Sequence, residues 1–439
     1  MRISVIGTGY VGLTTAVCLA SKGHHATCVD IDEAKIAKIQ TGNVMIHEEG
    51  LEGLLRQVLQ DSMLEATTSY EAALQKSDIS FICVGTPSLD DGRIDTSYVD
   101  SASKQVASAL AVRTGYHVVT VKSTVIPGTT EEIVIRNLKT SGKKIGQEIG
   151  VCANPEFLKE GSAVYDFLNP NNSGIIIGEL DPRSGDQLLK LYRDFDAPVW
   201  RASLREAEMI KYARNAYLAK DISFANEVAN ACEALGMDYL NVKQGMELDS
   251  RIGTGRFLDA GLGYGGSCFR KDLLGLISKA ASHGVAMKLL RTVEDVNEEQ
   301  PLRVLRLAKR LVGGLRGKKV AILGLAFKPR TDDVRESRSL VIARAFLEEG
   351  CRVVGYDPIA MENANLVLNS IEYVKSAKAA LEESDLCVIA TGWDEFKDWT
   401  LYEGIPVIDG RRVLPLDDVP QGTKVASIGY GRDPQESLT

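Results

Sequence analysis

The sequence predicts an α/β chain: two doubly wound, parallel-sheet domains joined by a long central helix and a further helical region. Three observations carry that prediction. RISVIGTGYVGLTTAVCLASKGHHATCVD reads as strand, glycine turn, apolar helix and second strand. From Ala207 to Gly236 there is neither proline nor internal glycine, and apolar residues recur at three- and four-residue spacing. AALQKSDISFICVGT (72–86) is echoed by AALEESDLCVIATGW (379–393), the mark of a duplicated unit.

A chain of 439 residues holds two or three domains. The expected division is 1–200 for the first α/β domain, 201–300 for the helical region and 301–439 for the second α/β domain. Hydrophobic residues at 44% and charged residues at 25% are values of a soluble globular protein. A net charge of −8 without a basic run excludes nucleic acid and membrane surfaces as expected partners. The apolar segment ISVIG is too short for a signal peptide or a span, and the scattered cysteines fit the reduced thiols of a cytoplasmic location. Eight cysteines are scattered, no C-x-x-C occurs and five histidines form no ligand spacing. Neither a disulfide framework nor a metal site follows from that pattern.

Taken in order, the first motif is Gly7-x-Gly9-x-x-Gly12, with Tyr10 and Val11 inside it. Its glycines let backbone approach a pyrophosphate, and the following helix N-terminus holds the anion. Asp30, 18 residues after Gly12, ends the second strand and is placed to take ribose hydroxyls. Asp32 would repel a 2′-phosphate, so the expected cofactor is NAD rather than NADP. Lys35 either reaches the adenosine side or is a solvated lysine. Two more strand-and-turn segments, 78–87 and 117–130, set Thr86, Pro87, Ser123 and Thr124 at the carboxyl edge of the sheet, where ligands bind. The next strand breaks at Asn154-Pro155, and Glu156 and Glu160 follow. They read as acid–base or substrate-clamping groups, or as the charge pattern of a helix start.

On the long helix, Lys211 and Asn215 share a face at i, i+4. Such a pair can hold an oxyanion, and it can equally be a solvated helix face. DSRIG offers Arg251 as an anion contact. Then comes GLGYGGSCFRKD (261–272), a close-fitting glycine loop ending in the first turn of a helix at Cys268. The helix end, Arg270 and Lys271 would favour a thiolate, and Asp272 lies one turn on. That pattern fits covalent catalysis, and also a small buried cysteine beside a capping turn. GKKVAILGLAFKPRTDDVRES (317–337) opens the second α/β domain, and CRVVGYDP closes its second strand with Asp357. Lys328, Arg335 and Arg338 read as diphosphate partners or as surface bases balancing acids. PVIDGRR (406–412) adds a strand, and RDPQESLT reads as a frayed tail.

With GTGYVGL, VGTP, KSTV, NPEFLKEGSA, AEMIKYARNAYLA, DSRIG, GYGGSCFRKD and FKPRTDDVRES in this order, the sequence resembles the UDP-glucose/GDP-mannose dehydrogenase family over nearly its whole length. The form GGSCF-x-KD favours the UDP-glucose and GDP-mannose branches over the UDP-N-acetylmannosamine branch. Within the family the sequence looks most like the UDP-glucose 6-dehydrogenases, while the base pocket that separates them from the GDP-mannose enzymes is not settled by local motifs. The resemblance implies two Rossmann-like domains, a helical dimerisation region and a four-electron oxidation with two NAD per turnover and no metal. Cys268 would capture the C6 aldehyde as a thiohemiacetal and carry it to a thioester that water releases as UDP-glucuronate. Lys211 and Asn215 would steady the oxyanion, Asp272 and Thr124 handle protons, and Glu156 serve thioester hydrolysis. The cofactor would lie against Gly7, Gly9, Tyr10, Val11, Gly12, Asp30, Lys35, Thr86, Pro87, Ser123, Thr124, Glu160, Lys271 and Arg338. The UDP-glucose substrate would meet Phe157, Leu158, Lys159, Glu160, Lys211, Asn215, Tyr264, Gly265, Phe327, Lys328 and Arg335, with Arg251 contributed across a homodimer interface. Asp221, Asn171-Asn172-Ser173 and Arg270 depart from the family's usual pattern. A GDP-mannose 6-dehydrogenase is the near rival. A two-electron 3-hydroxyacid dehydrogenase and a non-catalytic NAD sensor leave Cys268 and the second α/β domain without purpose.

Overall fold

The computed structural model describes residues 1–253 and 256–431. The tail 432–439, read above as frayed, lies outside the described residues. The chain divides into two compact units, Met1–Arg214 with Leu274–Lys279, and Asn215–Leu273 with Ala280–Thr439.

In the first unit, strands β1 (Arg2–Ile6), β2 (His25–Val29), β3 (Leu64–Thr67), β4 (Ile79–Ile82), β5 (His117–Val121), β6 (Ile149–Ala153), β7 (Ile175–Glu179) and β8 (Val199–Ser203) form one sheet. Its order is β3-β2-β1-β4-β5-β6-β7-β8. The pairing is parallel except between β6 and β7. Successive residues alternate between two apolar layers, as strands buried on both faces require. Val5, Cys28, Phe81 and Cys152 enter one layer, and Ile6, Val29, Ile82 and Val151 the other. The order reverses between β1 and β4, the switch point where such sheets open a crevice.

The second unit holds β9 (Lys319–Leu323), β10 (Arg352–Tyr356), β11 (Glu372–Tyr373), β12 (Leu386–Ile389), β13 (Val407–Asp409) and β14 (Val425–Ser427). All pairs are parallel, in the order β11-β10-β9-β12-β13-β14. That repeats the order of the first six strands of the larger sheet. The sequence echo falls on equivalent elements: helix Tyr70–Lys76 with β4, and helix Ala377–Leu381 with β12. The duplication extends to chemistry. Asp30 accepts the Thr8 N–H (2.8 Å) beside the first glycine turn, and Asp357 accepts those of Leu325 (2.7 Å) and Ala326 (3.1 Å) beside the second.

The long helix runs from Leu204 to Ala234, shifted toward the N-terminus from the expected Ala207–Gly236. Ser203 donates both its N–H and its hydroxyl to the Glu206 carboxylate, which starts the helix early. Gly236 has φ +73°, and this left-handed residue ends it.

Candidate functional site

At the switch point of the first sheet, the turn after β1 leads into helix Tyr10–Ser21. Gly7 has φ +90°, and a Cβ on Gly12 would lie 1.8 Å from the Gly7 carbonyl oxygen, so neither position accepts a side chain. A Cβ on Gly9 would meet open space, and no side chain caps the helix that Gly9 begins. The first amides of that helix therefore lack a side-chain acceptor, which suits a bound pyrophosphate. Val11 lies in the first turn, its carbonyl taking the Thr15 hydroxyl at 2.7 Å.

Asp30 is buried and already engaged, accepting the Thr8 N–H and hydroxyl on one oxygen and the Asp32 N–H (3.1 Å) on the other. Burial pushes its carboxyl up, but these donors and Lys35 outweigh it and hold the group below its usual range. Lys35 sits 3.9 Å from Asp30 with its side chain partly exposed. Asp32 caps helix Glu33–Gln40. Thr86 donates to the Thr124 carbonyl at 2.7 Å, and Ser123 turns its hydroxyl to the Val84 carbonyl at 2.7 Å, so both tie the ends of β4 and β5 together. The Pro87 carbonyl takes the Asp95 N–H.

After β6 the chain breaks at Pro155, and Glu156 turns inward to Lys211 at 3.0 Å, both side chains under a tenth exposed. The Leu158 N–H donates to the same carboxylate at 2.6 Å. Burial pushes Glu156 up, yet Lys211 and that amide hold it below the ordinary range. A surface helix-start pattern and a solvated helix face are both overturned here. The Arg214 guanidinium stacks on Phe157 at 3.8 Å, and Lys159 pairs with Asp166 at 3.1 Å. Glu160 follows directly, half-buried.

In the second unit, Cys268 is exposed, whereas the other seven cysteines are buried. A buried structural cysteine is thereby ruled out. It caps helix Phe269–Ala281 from outside rather than lying in its first turn: its carbonyl accepts the Asp272 N–H at 2.9 Å. Asp272 is 1% exposed and accepts Asn215 Nδ2 at 2.6 Å and Lys271 Nζ at 2.6 Å. Lys211 and Asn215 are each also held by a buried carboxylate, Lys211 by Glu156 as an ion pair and Asn215 by Asp272 as a hydrogen bond. Spacing gives a shared helix face, but buried carboxylates elsewhere claim each side chain.

The expected cationic support for the thiolate also changes. Lys271 neutralises Asp272, and Arg270 reaches Glu294 (2.7 Å), Glu298 (3.5 Å) and Glu336 (3.4 Å). Cys268 stands at the N-terminus of helix Phe269–Ala281, with the Ser267 hydroxyl 3.5 Å from its sulfur. The Tyr264 hydroxyl donates to Glu294 at 2.8 Å. The glycine loop packs on the segment after β9: a Cβ on Gly265 would lie 2.4 Å from the Glu336 carbonyl oxygen, and Gly266 donates to the Arg335 carbonyl at 2.9 Å beside the Phe327 ring. Lys328 stands 5.5 Å from the Phe327 ring centre. Arg335 is exposed and pairs with Asp333 at 2.6 Å. Arg338 is not a surface base: it is 2% exposed and holds Glu298 (2.9 Å) and Glu336 (3.0 Å). Arg251 is 87% exposed and pairs with Asp249. No group of three metal-ligating side chains stands together among the described residues, and none of their helices is long and apolar enough to cross a membrane.

Three family profiles match in succession: the NAD binding domain of the UDP-glucose/GDP-mannose dehydrogenase family on 1–196, its central domain on 205–299 and its UDP binding domain on 321–416. The chain belongs to the UDP-glucose/GDP-mannose dehydrogenase family. Its relatives include the UDP-glucose 6-dehydrogenase AglM of Haloferax volcanii, 43% identical over 94% of this chain and 97% of that protein. UDP-glucose 6-dehydrogenase YwqF of Bacillus subtilis is 43% identical over 98% of each. A UDP-glucose dehydrogenase structure from Pyrobaculum islandicum superposes with a TM-score of 0.91 at 42% identity, covering 98% of both chains.

Within this member of the family, three buried groups escape a motif-based reading. Lys122, inside KSTV, is 4% exposed and donates to Asn154 Oδ1 at 3.0 Å. Burial pulls its ammonium down to about 8, against the pull of Cys83 and Glu156. Glu208, inside AEMIK, accepts the Gly128 (2.6 Å) and Thr130 (2.9 Å) N–H groups and so anchors the turn after KSTV. Glu48 accepts the Tyr10 hydroxyl. An apolar run around a lysine was the available signal for Lys122; no local signal marks Glu48.

Proposed function

We propose that the chain oxidises UDP-glucose to UDP-glucuronate in two NAD-linked steps through a covalent intermediate on Cys268. The observation that carries this reading is the one exposed cysteine, at a helix N-terminus one turn from the buried Asn215–Asp272 pair. When bound, NAD would supply the hydride acceptor at C6 of the sugar, one molecule for each of the two oxidations. The glycine turn, Asp30, Lys35, Thr86, Pro87, Ser123, Thr124, Glu160, Lys271 and Arg338 are the residues we assign to its site. Asp30 and Arg338 act there while engaged in their own ion pairs, ordering backbone as much as touching the dinucleotide.

Asp272 and Thr124, with a water, remove the C6 hydroxyl proton as the alcohol becomes an aldehyde. The Cys268 sulfur adds to that aldehyde, and Lys211 and Asn215 stabilise the oxyanion. Loss of a second hydride gives the thioester. Glu156 takes a proton from water, whose oxygen bonds to the acyl carbon as the C–S bond breaks, returning the thiol and the acid. Phe157, Leu158, Lys159 and Glu160, with Tyr264, Gly265, Phe327, Lys328 and Arg335, would hold the UDP-sugar. Relatives named UDP-glucose 6-dehydrogenase at about this identity support that substrate. The test is stoichiometry. Two NADH per UDP-glucose consumed is the expected result; one per sugar would end the thioester route. Turnover with GDP-mannose alone would move the substrate and keep the chemistry.

The same reading makes the protein a cytoplasmic homodimer. Tyr217 and Phe224 of the long helix, with Leu289, expose large apolar surface beside Arg251 and Ile252, which supports an interface there. On this reading Arg251 leaves Asp249 to reach the partner's UDP-sugar. Arg251→Ala is expected to weaken UDP-glucose binding at least tenfold and NADH binding less than twofold, by calorimetry. Equal losses would mean a structural role.

A further inference from the structure

We propose that Glu48 is a positioning residue that couples the dinucleotide turn to the loop Phe157–Glu160. The proposal rests on the reading of that loop as the sugar-binding segment. Glu48 lies in the connection before helix Leu51–Gln60, far in sequence from both sites, and is 6% exposed. Its carboxylate accepts three neutral donors. One is the hydroxyl of Tyr10, the first residue of the helix that Gly9 begins. The others are the Gly161 N–H (2.8 Å) and the Ala163 N–H (2.7 Å). These two amides follow Glu160 directly, and Ala163 opens helix Ala163–Leu168. The Tyr10 hydroxyl also contacts the Lys159 carbonyl at 3.2 Å. One carboxylate and one phenol thus grip both ends of the segment 159–163 and the residue next to Gly9.

A buried carboxylate satisfied by a phenol and two amides depends on all three donors being in place at once. When a pyrophosphate seats at Gly9 and orders the first helical turn, Tyr10 is ordered with it. The Tyr10 hydroxyl then fixes Glu48, and Glu48 fixes the backbone that follows the sugar loop. The order is transmitted in both directions, since linkage is reciprocal.

The test uses NADH, which cannot accept hydride, and UDP-glucose, titrated singly and together by calorimetry. In the parent, each ligand is expected to tighten the other about fivefold or more, the low end of ordinary coupling. In Glu48→Gln and Tyr10→Phe the factor is expected to fall below about twofold, and the double variant should lose no more than either single one. A parent without coupling, or variants that keep it while melting at lower temperature, would overturn the proposal. Hydrogen exchange of residues 157–168 on adding NADH alone separates this idea from the substrate assignment. Protection in the parent that Glu48→Gln abolishes supports the link whether or not UDP-glucose binds. Absence of protection in the parent sinks it. Failure of UDP-glucose to bind, with that protection intact, removes only the substrate reading.

Discussion

Cys268→Ser is expected to stop acid formation, lowering NADH production from UDP-glucose by roughly three orders of magnitude or more, on the scale of losing a covalent nucleophile. The position makes the experiment clean. Cys268 is exposed and stands immediately before helix Phe269–Ala281, with its carbonyl accepting the Asp272 N–H. Serine is among the preferred residues at such a position, so the variant is expected to melt no lower than the parent. It loses only chemistry: an alcohol ionises far less readily than a thiol, and an oxygen ester releases its acyl group less readily than a thioester. NADH and UDP-glucose should bind with affinities near those of the parent. Turnover at the parent's rate would refute the thioester mechanism. A melting temperature well below the parent's would instead show that the sulfur is held by packing.

How far the site could be read in advance follows from what kind of information each residue carries. The glycine turn was legible because its requirement is local: Gly7 at φ +90° and Gly12 against the Gly7 carbonyl leave no room for a side chain, and the sequence says glycine at both. The second α/β unit was legible through a repeated phrase, and its strand order repeats the first. Cys268 was found, but its exposure was not, since the same residues describe a buried capping turn. Pairings were the weak point. Lys211 and Asn215 share a helix face by spacing, while the acids that claim them, Glu156 and Asp272, stand 55 and 57 residues away. Arg338 read as a diphosphate partner or a surface base, because a lone arginine gives no sign of the two glutamates that let it be buried. Glu48 is the extreme case: its acceptor role joins residues 38 and 113 positions distant, and nothing near it in sequence announces this.

Those long-range pairs make the second large effect specific. Lys211→Met removes the ammonium from a carboxylate that is 8% exposed, and breaking such a pair costs roughly 3–5 kcal/mol. The pH dependence should reverse as well. In the parent, Glu156 titrates below its unfolded value, so its contribution is present above the ordinary carboxylate range and is lost as pH falls through the folded value. In Lys211→Met, burial is opposed by the Leu158 N–H and the Lys122 charge but no longer by Lys211, so Glu156 is expected to rise above its unfolded value. Its contribution is then fullest below the ordinary range and is lost as pH rises through the folded value. The deficit against the parent should therefore be smaller at pH 5 than at pH 8 in urea unfolding. A deficit independent of pH would mean that the lysine matters through packing of its stem and not through charge. Adding Glu156→Gln to Lys211→Met removes the uncompensated charge and should recover most of the lost stability, since neutral replacements of buried pairs are well tolerated. Acid formation should stay abolished in that double variant. Stability that returns without activity would separate what the pair does for the fold from what it does for the oxyanion and the attacking water.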